Sequence, residues 1–170
     1  MKFRYCYVFV LVTVFAALVI SGAVFFTGFF QKNREKSSLE VRDQDSGKVY
    51  GKWFLEEGGE FSIEFIHSVN QSPVKDTFII ENGMIRLLSL RFYAFGAGMP
   101  TSLEEGQELS RDGDAMIITG FNSSFRELNY IVGTISDHLL FINGETVSLR
   151  ELCGRNAHIS IKYNIGTKRS

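Results

Sequence analysis

From Tyr5 to Phe30 the chain reads YCYVFVLVTVFAALVISGAVFFTGFF, 26 consecutive residues without a charge. As a helix, at 1.5 Å per residue, this stretch exceeds the roughly 30 Å hydrocarbon core of a bilayer and can cross it with some tilt. It is apolar all round, so a helix lying flat in the interface is a poor alternative. A cleaved signal peptide is the stronger rival, but its apolar region normally runs about 7 to 15 residues. Its only small-residue site, Ser21-Gly22-Ala23, would leave Val-Phe-Phe-Thr-Gly-Phe-Phe on the product. Cys6 precedes the apolar core and cannot serve as a lipoprotein cysteine. The expectation is an uncleaved transmembrane helix within residues 1–30, with lipid as partner along 5–30. A polar linker, QKNREKSS, then occupies 31–38, and a single domain occupies 39–170.

Charge gives little guide to orientation. Lys2 and Arg4 precede the apolar run, while Lys32, Arg34 and Lys36, offset by Glu35, follow it. A short tail before a first helix commonly stays in the cytoplasm. The expectation is therefore a single-pass protein of the cell membrane with an extracytoplasmic C-terminal domain.

Outside the anchor the chain carries 16 basic and 19 acidic side chains. No basic face is implied, which argues against a nucleic-acid partner. About 135 residues remain, near the common domain size and enough to bury a core. With 16 Phe and only 2 Pro, the composition is not that of a disordered segment. Cys6 and Cys153 belong to different environments, so no disulfide is expected.

Behind the linker, period-2 patterns alternate with turn signals. Val49 to Leu55 reads as a strand closed by Glu56-Glu57-Gly58-Gly59. In Glu60 to Val69, Phe61, Ile63, Phe65, His67 and Val69 share one face. Val74 to Ile80 returns and ends at Glu81-Asn82-Gly83, where Asn-Gly is a hairpin signal. Met84 to Ala94 extends again and leads through Phe95 to Pro100 into an acidic loop reaching Asp114. Strands are expected over Ala115–Phe121, Phe125–Val132 and His138–Ile142. After the Asn143-Gly144 turn they continue over Thr146–Leu149 and His158–Ile165. No convincing amphipathic helix stands among them. The fold class is all-β, with about eight or nine strands forming a β-sandwich or a small barrel.

His67 closes an apolar alternation. It reads either as a binding or acid–base imidazole at a strand end, or as a core-edge histidine bonded to backbone. His67, His138 and His158 lack short ligand spacing, so neither a metal site nor a cofactor is expected. Ser68, Ser72, Ser123 and Ser124 lie in no nucleophile elbow, and Cys153 shows no sign of thiolate activation. Gly96-Ala97-Gly98 before Pro100 allows a backbone that can present bare N–H groups to an anion, or simply a tight corner.

Together these segments resemble a known family. FSIEFIHSV (61–69), Ser72-Pro73-Val74 with Asp76, and FYAFGAGMP (92–100) are similar to the bacterial and archaeal domain of unknown function 1850 (DUF1850). In that family an HSV…pV.E segment precedes an fGAGlP loop. Asp137 to Leu140 and Val147 to Leu149 look like its C-terminal hairpins. Asp76 stands where the family more often has glutamate, keeping the charge with a shorter reach.

The resemblance implies a small, often membrane-attached protein of unassigned biochemistry. Such proteins are frequently encoded beside TRAP-type transporters with TAXI-class solute receptors. By this analogy His67, Ser68, Asp76, Gly96, Ala97, Gly98 and Pro100 gather at one end of the domain as a polar recognition site. The functional expectation is a non-enzymatic accessory or binding protein whose partners are TRAP transporter subunits or an acidic small solute. The alternatives are a hydrolase using His67 with Ser68 or Asp76, and a structural envelope protein.

Overall fold

The computed structural model describes residues 36–95, 100 and 102–166. The expected anchor over 5–30, and Gly96, Ala97 and Gly98 of the expected site, lie outside the described residues. Among the described residues no helix is long and apolar enough to cross a membrane.

Twelve strands and one short helix make up the described part. The first six strands are β1 (Ser38–Asp43), β2 (Val49–Phe54), β3 (Glu60–Ile66), β4 (Pro73–Glu81), β5 (Met84–Phe92) and β6 (Glu108–Asp112). There follow β7 (Ala115–Thr119), β8 (Ser124–Phe125), β9 (Glu127–Ile131), β10 (His138–Ile142), β11 (Glu145–Ser148), α1 (Leu149–Cys153) and β12 (His158–Asn164). The smaller sheet has the order β2-β1-β12-β9, and the larger runs β11-β10-β3-β4-β5-β7-β6, with β8 also on β5. The domain is all-β, as its patterning implied. Its strands form two sheets instead of one closed barrel, and there are twelve instead of eight or nine.

The additional strands hide behind polar composition. β1 contains Ser38 and Glu40, yet these are only 2% and 4% exposed. Glu40 is tolerated because Arg42 and Lys52 both pair with it, Lys52 from the directly opposite position on β2. β6 lies within the supposed acidic loop, and all five of its residues are exposed at the sheet edge. The single strand expected over Phe125–Val132 is two, since β8 pairs with the larger sheet and β9 with the smaller. The helix α1, absent from the sequence reading, is one turn capped by Ser148, whose hydroxyl accepts the Glu151 N–H.

Two hairpins form as the dipeptides require. Asn82-Gly83 (φ 54° and 72°) joins β4 to β5, and Asn143-Gly144 (φ 52° and 80°) joins β10 to β11. Both central residues of such a turn need positive φ, which Asn tolerates and Gly favours.

Both sheets contribute to the main core. Leu39, Val41, Ile159 and Ile161 come from the smaller sheet, and Phe61, Ile63, Phe78, Ile80 and Leu140 from the larger. Each such side chain contributes roughly 1.5–3 kcal/mol on burial. A second cluster, Val74, Phe92, Met116 and Ile118, fills the inner face of the larger sheet farther along. One irregularity decides which side chains face outward. Phe78 pairs with Leu87 but Thr77 pairs with Ser89, so Leu88 is an extra residue in β5. Leu87 and Ile85 therefore share the inner face with Leu90 and Phe92, while Ser89 and Arg91 are turned out.

Candidate functional site

Of the expected site residues, His67 and Ser68 stand in the turn after β3 and Asp76 on the inner face of β4, while Gly96, Ala97 and Gly98 lie outside the described residues. β3 ends at Ile66, so His67 begins a turn and does not extend the buried face, and Val69 is 65% exposed. The His67 N–H donates to the Ser72 carbonyl at 2.9 Å, and its carbonyl accepts the Gln71 N–H at 2.9 Å. Its Nδ1 accepts the Asn70 N–H at 3.4 Å. The imidazole adds this one long bond to a turn that backbone bonds otherwise close. Ser68 is exposed in the same turn, and its carbonyl accepts from Gln71 Nε2. Asp76 lies in mid-β4 between Ile63 and Leu90, on the inner row that runs from Leu140 to Ile118. Among the described residues no hydrogen bond links His67, Ser68 and Asp76. Pro100 is half-buried.

Asp76 instead belongs to an interior polar seam. Burial pushes its carboxyl up to about 6, with no countercharge or donor compensating among the described residues. Burial also raises Tyr130 on β9, and the Asp76 charge adds to that rise. His138 stacks on Phe65 at 5.1 Å and meets the Tyr130 ring edge-on at 5.8 Å. Its Nδ1 accepts the Gly133 N–H at 3.3 Å. Burial pulls its imidazole below the ordinary range; Arg150 adds to this and Asp137 opposes it. The Cys153 thiol is pushed up to about 11 by burial and then by Asp43.

A concave feature lies on the opposite side of β4. A groove of about 520 Å³ opens on the outer face of the larger sheet, lined by Glu64, Pro73, Lys75, Thr77, Ser89, Arg91, Tyr93 and Ile117. Strand register arranges these side chains in rows. Glu64, Lys75, Arg91 and Ile117 are successive direct neighbours across β3, β4, β5 and β7. Beside them run Ser62, Thr77, Ser89 and Thr119, with the Ser62 and Thr77 hydroxyls 3.1 Å apart. Lys75 Nζ sits over the Phe141 ring at 4.0 Å, and Arg91 donates to Asp112 at 2.8 Å. The groove thus offers two cations, one carboxylate, two hydroxyls and a phenol on rigid strands, a lining suited to holding a small polar molecule.

Family comparison covers this region. The model for the domain of unknown function DUF1850 matches residues 61–149. The chain belongs to the DUF1850 family. The match runs from β3 to the first residue of α1, so the whole groove lining and the Asp76–Tyr130–His138 seam lie within the DUF1850 region. β1, β2 and β12 of the smaller sheet lie outside it. Comparison with curated proteins and with solved structures gave no match.

Reasoning from sequence missed Lys75, Thr77, Ser89, Arg91 and Tyr93. Lys75 and Thr77 were legible as the outward positions of β4. Ser89 and Arg91 were not, because without the bulge at Leu88 strict alternation from Ile85 puts both indoors.

Proposed function

We propose that this chain is a membrane-anchored, non-enzymatic binding protein whose β-domain holds a small polar solute in the groove on the larger sheet, in the service of a solute transporter. The observation that carries the reading is the groove itself. Its about 520 Å³ falls within the size of small-solute sites, and its polar groups project from the central strands β3, β4 and β5. The membrane attachment rests on the 26 uncharged residues from Tyr5 to Phe30, and the transporter context on the family resemblance. TRAP transporter subunits are the proposed protein partners, and the extracytoplasmic face is the proposed location.

The test uses full-length protein in detergent micelles, screened against a panel of small polar solutes by thermal shift and calorimetry. A solute that binds wild type should lose at least tenfold in affinity in Thr77→Val and Tyr93→Ala, with unfolding midpoints little changed. Affinities unchanged in both variants would remove the groove from the function.

A further inference from the structure

We infer that the groove takes a carboxylate-bearing polyhydroxylated solute, its carboxylate seated between Lys75 and Arg91; the inference rests on the binding role proposed above. Those two residues are direct neighbours across the β4–β5 ladder and both face outward. Like charges placed opposite one another destabilise a sheet unless something neutralises them. In this structure the pair turns apart. Lys75 reaches across β3 to the Phe141 ring, and Arg91 reaches the other way to Asp112, with its guanidinium 5.9 Å from the Tyr93 ring centroid.

Neither resting contact is strong. The Arg91 and Asp112 side chains are 34% and 67% exposed, so their ion pair is of the weak, solvent-screened surface kind. The Phe141 ring is half-buried, and a cation over it, like Arg91 over Tyr93, is held only by the modest pull of a ring face, weaker than a bonded carboxylate. Both cations are therefore available to a ligand. A carboxylate between them gains a planar two-pronged donor from Arg91 and a point charge from Lys75.

The rest of the lining sets the remainder of the solute. Glu64 is the direct neighbour of Lys75 on β3. Its carboxylate opposes a doubly charged anion such as phosphate, but accepts a hydrogen bond from a hydroxyl. Thr77 and Ser89, directly opposite each other, donate to and accept from further hydroxyls. Tyr93, 40% exposed at the rim with Arg91 over one side of its ring, offers its phenol and its remaining apolar surface to a sugar-like carbon skeleton. One negative charge with several hydroxyls fits this lining better than a bare anion or a neutral sugar.

D-glucuronate and D-glucose form a matched probe pair, differing in a carboxylate against a hydroxymethyl group. Calorimetry on full-length protein in detergent should show glucuronate binding at least tenfold tighter than glucose. Arg91→Gln and Lys75→Met should each weaken glucuronate at least tenfold. Arg86→Gln, on the same strand but paired with Glu81 outside the groove, should change nothing. Arg91→Lys and Lys75→Arg, which keep the charge, guard against a folding artefact and should retain most of the binding. Equal binding of both sugars, lost in Thr77→Val, would leave the groove reading intact and overturn the carboxylate. Tighter binding of inorganic phosphate than of glucuronate would overturn it as well. No binding of any probe would sink both readings.

Discussion

The Asp76 carboxylate on β4 and the Tyr130 phenol on β9 belong to different sheets, yet across the interior the aspartate's charge adds to the burial that holds the phenolic proton on. Asp76 stands between Ile63 and Leu90 with burial as the sole influence on its titration. It is a cost to the fold, not a prop.

That cost has a definite pH signature. In the folded chain the carboxyl titrates at about 6, against an ordinary value of 3.8. Between those values the folded state holds a proton that the unfolded state has lost, so this group's contribution to stability falls as pH rises. Above about 6 the penalty is complete, and below about 3.8 it is gone. Asp76→Asn should therefore stabilise the domain at pH 7.5 by roughly 1–3 kcal/mol, and by progressively less toward pH 4. Denaturant midpoints of wild type and variant across that range check it. A variant less stable at pH 7.5 would show that the carboxylate has a partner.

His138 acts in the opposite sense. Its lowered pKa means that the unfolded chain takes up a proton before the folded one does. Its stabilising contribution is therefore present above the ordinary imidazole range and shrinks as pH falls through it. Protonation also sets an N–H against the Gly133 N–H that Nδ1 accepts. In wild type the Asp76 and His138 effects partly cancel between pH 5 and 7. The Asp76→Asn variant should accordingly lose stability on acidification from pH 7 to 5. Adding His138→Asn, whose Oδ1 takes the place of Nδ1, should flatten that slope, at roughly 1 kcal/mol for the lost ring packing on Phe65.

How much of this was legible in the sequence depends on how far each feature is from local. The alternation Phe61, Ile63 sits on the buried face as read, and both Asn-Gly turns form where the dipeptides stand. Such signals involve residues within a turn or strand of one another. His67 extends the same alternation in sequence, but the chain leaves the sheet at Ile66 because residues 67–72 close a turn through their own backbone bonds. Glu40 on β1 and Asp76 on β4 were beyond reach for another reason. A carboxylate reads as solvent-facing until its partners are known; Arg42 and Lys52 are those of the first, while none stands beside the second among the described residues. The candidate site was the least legible part, since the facing of Ser89 and Arg91 depends on one unpaired residue, Leu88, earlier in their own strand.

Two glycines with nearly equal φ should respond very differently to alanine. Gly144 (φ 80°) has open space where a Cβ would go, whereas at Gly120 (φ 79°) a Cβ would fall 2.1 Å from the Gly106 carbonyl oxygen. Gly144→Ala should cost about 1–2 kcal/mol from backbone strain alone. Gly120→Ala adds a collision with backbone that cannot swing away, and should cost at least twice as much. Equal losses in chemical denaturation would mean that the 106–120 connection yields freely.

The bulge at Leu88 offers the sharpest separation of side chain from backbone. Leu88 is only half-buried, so Leu88→Ala removes limited packing and should cost about 1–2 kcal/mol. Deleting Leu88 is a different perturbation. Without it Leu87 still pairs with Phe78 and Ser89 with Thr77, so the ladder set by Asn82-Gly83 runs on without a break while Ser89 and Arg91 stay outward. Leu90 and Phe92 keep the inner face, and Phe92 stays in the second core cluster. What is lost is the half-buried Leu88 side chain and the local bend that the bulge puts into β5. The deletion should therefore cost within about 1 kcal/mol of Leu88→Ala, and should keep solute binding in the groove. A deletion variant that loses more than about 4 kcal/mol, or that no longer binds, would show that the bend itself, and not the facing of the side chains alone, sets β5 against β7.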